Sequence, residues 1–297
     1  MPSARMLALL VALALALSAC ASDGSETSAV DATEANAEAT LVTDAQTPNP
    51  SGFWKPPPGT TWQWQLDGDI DTSFDVAVYD IDLFDAPESI IDTLHAQGRT
   101  VICYFSAGSR EEGREDADQF TDDDYDKRLE DWPRERWLDV RSQNVRRIME
   151  QRLDLALAKD CDAVEPDNVD GFQNDSGFPL TAEDQLDYNR FLADAAHARG
   201  LSVGLKNALD LVPELEPEFD WALNEECLAY EECEALAPFL AAGKAVFHVE
   251  YVDDSADGPA LQAEVCDDPS IAGFSTLIKT YDLEAWRLTC DEREESP

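Results

Sequence analysis

The stretch Ala163–Phe172, AVEPDNVDGF, joins the end of an apolar strand to a cluster of carboxylates. Asn168 and Gly171 tolerate tight turns, so the chain is expected to reverse here. Side chains alternate along a strand, and Glu165 and Asp167 should therefore project to the same side. Adjacent carboxylates disfavour joint ionisation and raise one pKa, as general acid/base chemistry requires. A solvated acidic loop or a cation site would give the same pattern.

Apolar segments recur on both sides of this stretch, with helix-like segments between them. The predicted strands are Trp62–Leu66, Asp75–Asp80, Thr100–Ser106, Cys161–Asp167, Leu201–Asn207, Phe219–Glu225, Ala245–Tyr251 and Gly273–Lys279. Apolar spacing and end signals predict helices over 87–97, 145–159, 181–199 and 231–242. The third of these opens with a capping pattern formed by Thr181 and Asp184. Residues 107–139 read as a long polar insertion.

This alternation favours a parallel α/β architecture, because strands separated by helices pair in parallel. A domain of about 240 residues suits a closed (β/α)8 TIM barrel. An open doubly wound sheet is the alternative, but no glycine-rich phosphate loop follows the first strand.

Polar residues follow most of the predicted strands at their carboxyl ends. In a barrel these ends converge on the face that carries active sites. Ionisable groups occur there more consistently than loops alone explain, which predicts a site. The residues are Gln65, Asp80, Asp82, Ser106, Glu165, Asp167, Asp170, Lys206, Asn207, Asn224, Glu225, Glu250 and Lys279.

The chain of 297 residues is strongly acidic, with 63 acidic and 21 basic residues and a net charge of -42. Nucleic acid is excluded as a partner because its phosphates would be repelled. The acidic residues are scattered, which favours a solubility or salt adaptation of the whole surface. Attraction of a cationic substrate is the second explanation.

The N-terminus has the proportions of an export signal. An apolar run, Met6–Leu17, is too short for a membrane span and is followed by a Leu-Ser-Ala-Cys sequence ending at Cys20. This sequence resembles a bacterial lipobox, in which Cys20 would be lipidated and hold the protein at a membrane of the cell envelope. An ordinary signal peptide cut near Ala19 or Ala21 is the alternative.

Three regions follow from the composition. Residues 1–19 are predicted to be the lipoprotein signal peptide. Residues 20–52 contain few large apolar residues and read as a disordered acidic linker. Residues 53–297 form the predicted barrel domain, which we expect to be monomeric.

With Cys20 lipidated, six of the seven cysteines remain, in an oxidising compartment where disulfides persist. The sequence does not choose their connectivity, although Cys227 and Cys233 are close enough to close a small loop. A zinc site is the rival, but the chain has three His and no CxxC pair. The six are Cys103, Cys161, Cys227, Cys233, Cys266 and Cys290.

The motifs of several hydrolase classes are missing. There is no GxSxG elbow, no HExxH and no phosphate loop, and three His give little support to a Ser-His-Asp triad. Carboxylates dominate instead. This favours glycoside hydrolysis, in which two carboxyl groups flank the bond that is cleaved.

Six segments between about Trp62 and Tyr251 resemble glycoside hydrolase family 114 in the same order. They are CYFSAGSREEGR, ERWLDVRS, VEPDNVDGF, GLSVGLKN, NEECLAYEEC and GKAVFHVEY. The resemblance implies a barrel with endo-α-1,4-polygalactosaminidase activity and no cofactor or metal. It implies a catalytic Asp at the end of strand four, matching Asp167, and a catalytic Glu at the end of strand six, matching Glu225.

Further residues are expected to contact a polysaccharide, which would be cationic if its amino sugars are deacetylated. These predicted substrate-binding residues are Asp80, Tyr104, Ser106, Glu165, Asp170, Lys206, Asn207, Glu250 and Tyr251.

The sequence departs from the family pattern at two positions. Arg110 follows Ser109 where an aromatic residue is expected, which puts one sugar-stacking contact in doubt. Glu226 stands where Gln is expected. Strand alternation points Glu225 and Leu223 to one side and Glu226 to the other, so Glu225 is expected to face inward.

We expect Asp167 to be the nucleophile because Lys206, on the intervening strand, can stabilise its charge. Glu225 is then the general acid, with a pKa raised by other carboxylates and by burial under substrate. Two alternatives remain: a carbohydrate-binding lipoprotein without turnover on the same barrel, and a metal-dependent hydrolase. The second would use Asp80, Glu165, Asp167 and Asp170 as oxygen ligands.

The anchor prediction is tested by Cys20→Ala. Without the acylated cysteine the protein should move from the membrane fraction to the soluble fraction, because acyl chains supply the attachment. Fractionation followed by immunoblotting measures this. Unchanged membrane retention would show that something else attaches the protein.

Overall fold

The computed structural model describes residues 52–130 and 132–290. The predicted signal peptide and, except for Gly52, the predicted linker lie outside the described residues. The described part contains twelve strands, numbered in chain order: β1 Trp62–Gln65, β2 Val78–Asp82, β3 Thr100–Ser106, β4 Ser109–Glu111, β5 Tyr125–Arg128, β6 Glu135–Leu138, β7 Ala163–Asp167, β8 Ser202–Lys206, β9 Trp221–Glu225, β10 Val246–Val252, β11 Ser275–Thr280 and β12 Leu288–Thr289.

Nine of these strands form one curled sheet in the order β1-β2-β3-β7-β8-β9-β10-β11-β12. All neighbours from β1 to β11 pair in parallel, and β12 pairs antiparallel with β11. Contacts from β1 and the residue after it to β11 and the turn after it close the ring. Trp62 Nε1 donates to Ser275 O at 2.9 Å, and Leu66 N donates to Leu283 O at 3.0 Å. The prediction of a (β/α)8 barrel is confirmed.

Side chains alternate between the barrel interior and the helix-facing side of the sheet. The outward set packs with the helices into the larger apolar cluster. Gly204 leaves room for the Trp221 ring, which would lie 2.3 Å from a Cβ at that position. The inward set fills the barrel with Trp62, Trp64, Val78, Ile102, Ala163, Trp221, Leu223, Ala245, Phe247, Val249 and Leu277.

Six α-helices lie among the described residues: α1 Glu88–Ala96, α2 Gln143–Ala158, α3 Ala182–His197, α4 Val212–Leu215, α5 Ala237–Ala241 and α6 Gly258–Val265. The first three confirm the predicted helices. The predicted capping pattern at the start of α3 is also confirmed, because Thr181 and Asp184 exchange side-chain-to-backbone bonds.

The helix predicted over 231–242 is shorter than expected. A 3₁₀ turn, Cys233–Leu236, precedes α5. Pro238 lacks a backbone donor and belongs in the first turn of a helix, so the regular helix starts beside it.

The insertion over 107–139 contains a sheet that the sequence did not predict. Strands β4, β6 and β5 pair antiparallel, with Ser109 opposite Trp137. Each strand is only three or four residues long and lacks a readable period, and pairing depends on partners distant in the chain. This small sheet carries Glu135 toward the carboxyl ends of the barrel strands.

The six cysteines form three disulfides: Cys103–Cys161, Cys227–Cys233 and Cys266–Cys290. The predicted small loop is therefore confirmed. Cys227, Cys233 and His248 lie within 4.8 Å of one another, but sulfurs joined in a disulfide are not the thiolates that zinc binds. Across 52–130 and 132–290, none of the helices has the length and apolar character of a membrane span.

Gly108 connects the insertion to the turn after β7. Its N–H donates to Asp167 O at 3.0 Å, and its carbonyl accepts from Leu138 N at 2.9 Å. A Cβ at this position would lie 1.7 Å from the carbonyl oxygen of Asn168.

Gly108→Ala should therefore lower the free energy of unfolding by about 1–3 kcal/mol, because the added methyl forces two backbone segments apart. Urea unfolding measures the change. Gly171→Ala is the matched control, since its Cβ meets the Trp137 ring at an ordinary 3.4 Å. Equal stability of Gly108→Ala and the wild type would contradict the prediction.

Candidate active site

A buried lysine lies at the centre of the carboxyl ends of the strands. Lys206 Nζ lies 2.6 Å from Glu165 Oε1, 3.2 Å from Glu225 Oε2 and 3.3 Å from Asp167 Oδ1. It also lies 4.7 Å from the centroid of the Trp64 ring. Burial disfavours the ammonium, but the three carboxylates outweigh burial and hold the pKa of Lys206 well above its ordinary value.

Asp167 ends β7 and is partly exposed. Its Oδ2 accepts a hydrogen bond from Tyr104 OH at 3.0 Å and a longer one from Asn168 Nδ2 at 3.3 Å. Asn168 has a φ of 60°, a left-handed conformation that Asn tolerates. As the sequence predicted, the chain turns here and Asp167 and Glu165 project to the same side, toward Lys206.

Glu225 ends β9, two strands from Asp167. Its carboxylate accepts from Tyr251 OH at 2.5 Å and from Asn207 Nδ2 at 3.1 Å, and Asn207 Oδ1 accepts from the Glu225 N–H at 3.0 Å. Glu226, which follows the strand, accepts from Tyr281 OH at 3.1 Å instead. The expectation that Glu225 faces inward is confirmed.

The rise in the pKa of Glu225 that was expected from neighbouring carboxylates is wrong, whereas the rise expected from burial under substrate stays a prediction. Burial does raise this pKa, but the Lys206 charge and the hydrogen bonds from Tyr251 and Asn207 outweigh burial and lower it. The groups around Glu225 therefore favour its ionised form.

A second acidic pair, Asp80 and Glu165, lies beneath the site, and neither residue is exposed. Trp64 Nε1 donates to Glu165 Oε2 at 3.1 Å. Among the described residues no donor reaches either oxygen of Asp80. Burial, with the nearby Glu165 charge, raises the pKa of Asp80 well above normal, and burial raises that of Glu165 to about 7.

The predicted substrate-binding residues divide by exposure. Asp80, Glu165 and Lys206 are buried under the pocket and support it without reaching its surface. Those that remain partly exposed around the two outer carboxylates are Tyr104, Asp170, Asn207 and Tyr251. Burial and the Asp167 charge raise the pKa of Asp170 to about 6.

Ser106 and Glu250, which were also predicted to bind substrate, are both buried. Ser106 is fully buried, and its hydroxyl accepts from Asn168 Nδ2 at 2.9 Å and contacts Ser109 Oγ at 2.6 Å. Glu250 points to the opposite side of β10 from Tyr251. There it accepts from Leu228 N at 2.8 Å and lies 3.0 Å from His248 Nε2. Strand alternation explains the orientation of Glu250, because adjacent residues of a strand face opposite sides.

The sequence analysis missed Glu135 and Tyr281. Burial raises the pKa of Glu135 to about 7, and the charges of Glu111 and Asp167 add to this effect. Glu135 opens the ERWLDVRS segment already singled out, but nothing local shows that β6 turns it toward Asp167. Tyr281 follows the last long strand and stacks on Tyr251 at 4.4 Å between ring centroids.

Lys206 also bears on the metal-dependent alternative. Its ammonium bonds to Glu165 and Asp167 and supplies the positive charge that a divalent cation would bring.

Arg110, at the position where an aromatic residue was expected, lies over the Tyr125 ring at 4.8 Å to the centroid. The stacking contact expected after Ser109 is thus replaced by a cation.

Two partly exposed carboxylates on strands four and six of a barrel, joined by a buried lysine, match the arrangement implied by the sequence. The model of glycoside-hydrolase family GH114 matches residues 43–295. The chain belongs to glycoside hydrolase family 114. It is a glycosidase.

Solved structures agree with this family and fold. The chain is 47% identical to Ega3 of Aspergillus fumigatus, solved in complex with galactosamine, over 80% of this chain and 97% of that one, with a TM-score of 0.77. The glycoside hydrolase domain of PelA from Pseudomonas aeruginosa has the same fold at 14% identity, covering 79% of this chain and 99% of that one, with a TM-score of 0.60. A search of curated protein sequences gives no match.

Lys206→Met should destabilise the protein by about 3–5 kcal/mol near pH 8, because buried carboxylates lose their cation. Without Lys206 their folded pKa values rise, and the variant regains stability as the pH falls through those values. The gap to the wild type in urea unfolding should therefore narrow between pH 8 and pH 5.

Lys159→Met provides the control, because Lys159 donates to the carbonyls of Leu83 and Ala86 rather than to carboxylates. Its stability deficit should stay nearly constant over the same range. A Lys206→Met deficit that does not change with pH would contradict the assigned role of the cation.

Proposed function

We propose that this glycosidase cleaves internal α-1,4 linkages in galactosamine-rich polysaccharide, and that lipidated Cys20 holds it outside the cytoplasm on a membrane. The observation that carries the reaction is the pair Asp167 and Glu225, each partly exposed and each bonded to Lys206. Similarity to a protein solved with galactosamine supports the substrate class.

In the proposed reaction Asp167 attacks the anomeric carbon while Glu225 protonates the leaving oxygen. Glu225 then takes a proton from a water molecule that attacks the anomeric carbon, and the bond between that carbon and Asp167 breaks. Tyr104 and Asn168 hold the Asp167 carboxylate toward the pocket, and Lys206 offsets its charge. Lys206 stays protonated throughout, since its pKa is raised.

The separation of the two carboxyl groups supports retention of configuration. One oxygen of Asp167 and one of Glu225 lie within 3.3 Å of the same Lys206 nitrogen. These two oxygens can be no farther apart than the sum of their distances to the Lys206 nitrogen. In inverting enzymes the two carboxyl groups are about 6.5–9.5 Å apart, and the upper limit here only reaches the lower end of that range. In retaining enzymes they are about 5–5.5 Å apart, which lies within the limit.

Lys206 does not distinguish the two carboxylates, because its distances to them are nearly equal. Glu225 must instead gain its proton when substrate binds. A sugar over the site excludes water and increases burial, which raises the pKa of Glu225. As a general acid it works only when protonated, so turnover should fall as the pH rises through its pKa in the complex.

The acidity of the site suits a cationic polymer. Asp170 and Glu135 add carboxyl groups beside Asp167, and the net charge of -42 attracts ammonium groups over a longer range. Deacetylated galactosamine units would carry those ammonium groups.

The roles are tested with Asp167→Ala and Glu225→Ala on an activated α-galactosaminide, with azide added. Both should cut turnover by at least a thousandfold, as expected for loss of a catalytic carboxylate. Azide should rescue Glu225→Ala to a product of retained configuration, because the intermediate on Asp167 still forms. It should rescue Asp167→Ala to an inverted product, identified by NMR.

Exchanged stereochemistry would reverse the two roles, and near wild-type turnover of either variant would remove the pair. Asp92→Asn, an exposed change on α1, controls for the loss of one charge. A wild type that binds the polymer but releases no reducing ends would instead establish the non-catalytic carbohydrate-binding alternative.

A further inference from the structure

An aromatic pair lies directly beside Glu225. The rings of Tyr251 and Tyr281 stack with centroids 4.4 Å apart and planes 15° from parallel. Tyr251 OH donates to Glu225 Oε1 at 2.5 Å, so the pair is fixed to the catalytic carboxylate. Tyr281 is 48% exposed, and its outer surface is therefore open to a ligand lying over the site.

Acidic groups surround the exposed ring. Tyr281 OH donates to Glu226 Oε1 at 3.1 Å. Burial first, and then the charges of Glu226 and Asp253 and the nearby Tyr230, raise the pKa of Tyr281 to about 12. Tyr230 is itself 68% exposed. The surface next to Glu225 thus combines exposed aromatic rings with negative charge.

The position of Glu226 follows from its backbone. Its φ is 60°, in the left-handed region that non-glycine residues rarely adopt, and its N–H donates to Val249 O at 2.8 Å. The chain turns sharply just after β9, and the two successive glutamates diverge. Glu225 faces Lys206, whereas Glu226 faces Tyr281.

This combination fits one ligand chemistry. A sugar ring has an apolar C–H face that packs on an aromatic ring, and an ammonium is attracted both by the ring face and by a carboxylate. We propose that Tyr281 and Glu226 form a binding subsite for a positively charged amino-sugar unit next to the bond that is cleaved. The inference rests on the proposed function, since it assigns one sugar of the same polymer.

Packing of the C–H face on an aromatic ring is available to acetylated and deacetylated sugars alike. Glu226 adds selectivity, because a carboxylate gains a charge interaction only when the amino group is free. The subsite therefore determines specificity for deacetylated units, and Tyr281 supplies affinity for either form.

The test measures binding by calorimetry in an Asp167→Asn background, which stops turnover. The probes are an α-1,4-galactosamine pentasaccharide and its fully N-acetylated counterpart. Glu226→Gln should weaken binding of the free-amine form about three- to fivefold, as an exposed ion pair allows, and leave the acetylated form unchanged. The difference should shrink in 0.5 M salt, where the Debye length is short.

Tyr281→Ala should weaken both oligosaccharides roughly tenfold by removing the ring. Tyr281→Phe keeps the ring, so it should bind the acetylated form as the background does. Asp92→Asn on α1 controls for the loss of one negative charge and should bind both forms as the background does.

Equal weakening of both oligosaccharides by Glu226→Gln, or full affinity in Tyr281→Ala, would overturn the subsite. These outcomes are distinct from failure of the proposed hydrolysis. If the wild type releases no reducing ends but the binding pattern holds, only the proposed hydrolysis is contradicted. If the wild type cleaves the polymer but Glu226→Gln and Tyr281→Ala bind both oligosaccharides unchanged, only the proposed subsite is contradicted.

Discussion

The site depends on one buried cation. Lys206 lies within hydrogen-bond reach of Glu165, Asp167 and Glu225 and supplies the positive charge between them. The barrel makes this arrangement possible, because strands β7, β8 and β9 are neighbours and end at the same face. A lysine on the middle strand reaches carboxylates on both sides.

Inside the barrel, the buried residues that support the site lie in layers below the partly exposed carboxylates that are proposed to react. Apolar rings such as Trp64 and Trp221 fill the interior and exclude water beneath the lysine. Above them, burial raises the pKa of Asp80 well above its ordinary value, which favours its neutral form and keeps the number of buried charges low. Only the outermost carboxylates meet solvent, where a sugar can approach them.

Much of the architecture was predictable because short segments of the sequence encode the strands, the helices and their ends. Apolar strands, end signals such as the Thr181 cap, and polar residues after each strand were enough for the barrel and its active face. Alternation alone separated Glu225 from Glu226. The same alternation, applied to β10, would have turned Glu250 away from the pocket, since Tyr251 and Glu250 cannot face the same side.

The sequence by itself determined the strand and helix order, the barrel, and the catalytic candidates Asp167 and Glu225, because these follow from periodicity and residue type along short segments. Only the tertiary structure decided the disulfide pairing, the small sheet that carries Glu135, and the burial of Ser106. It also decided that the pKa of Glu225 is lowered in the free site. Each of these depends on groups distant in the chain, and electrostatic energies depend on distance and burial, neither of which a sequence contains.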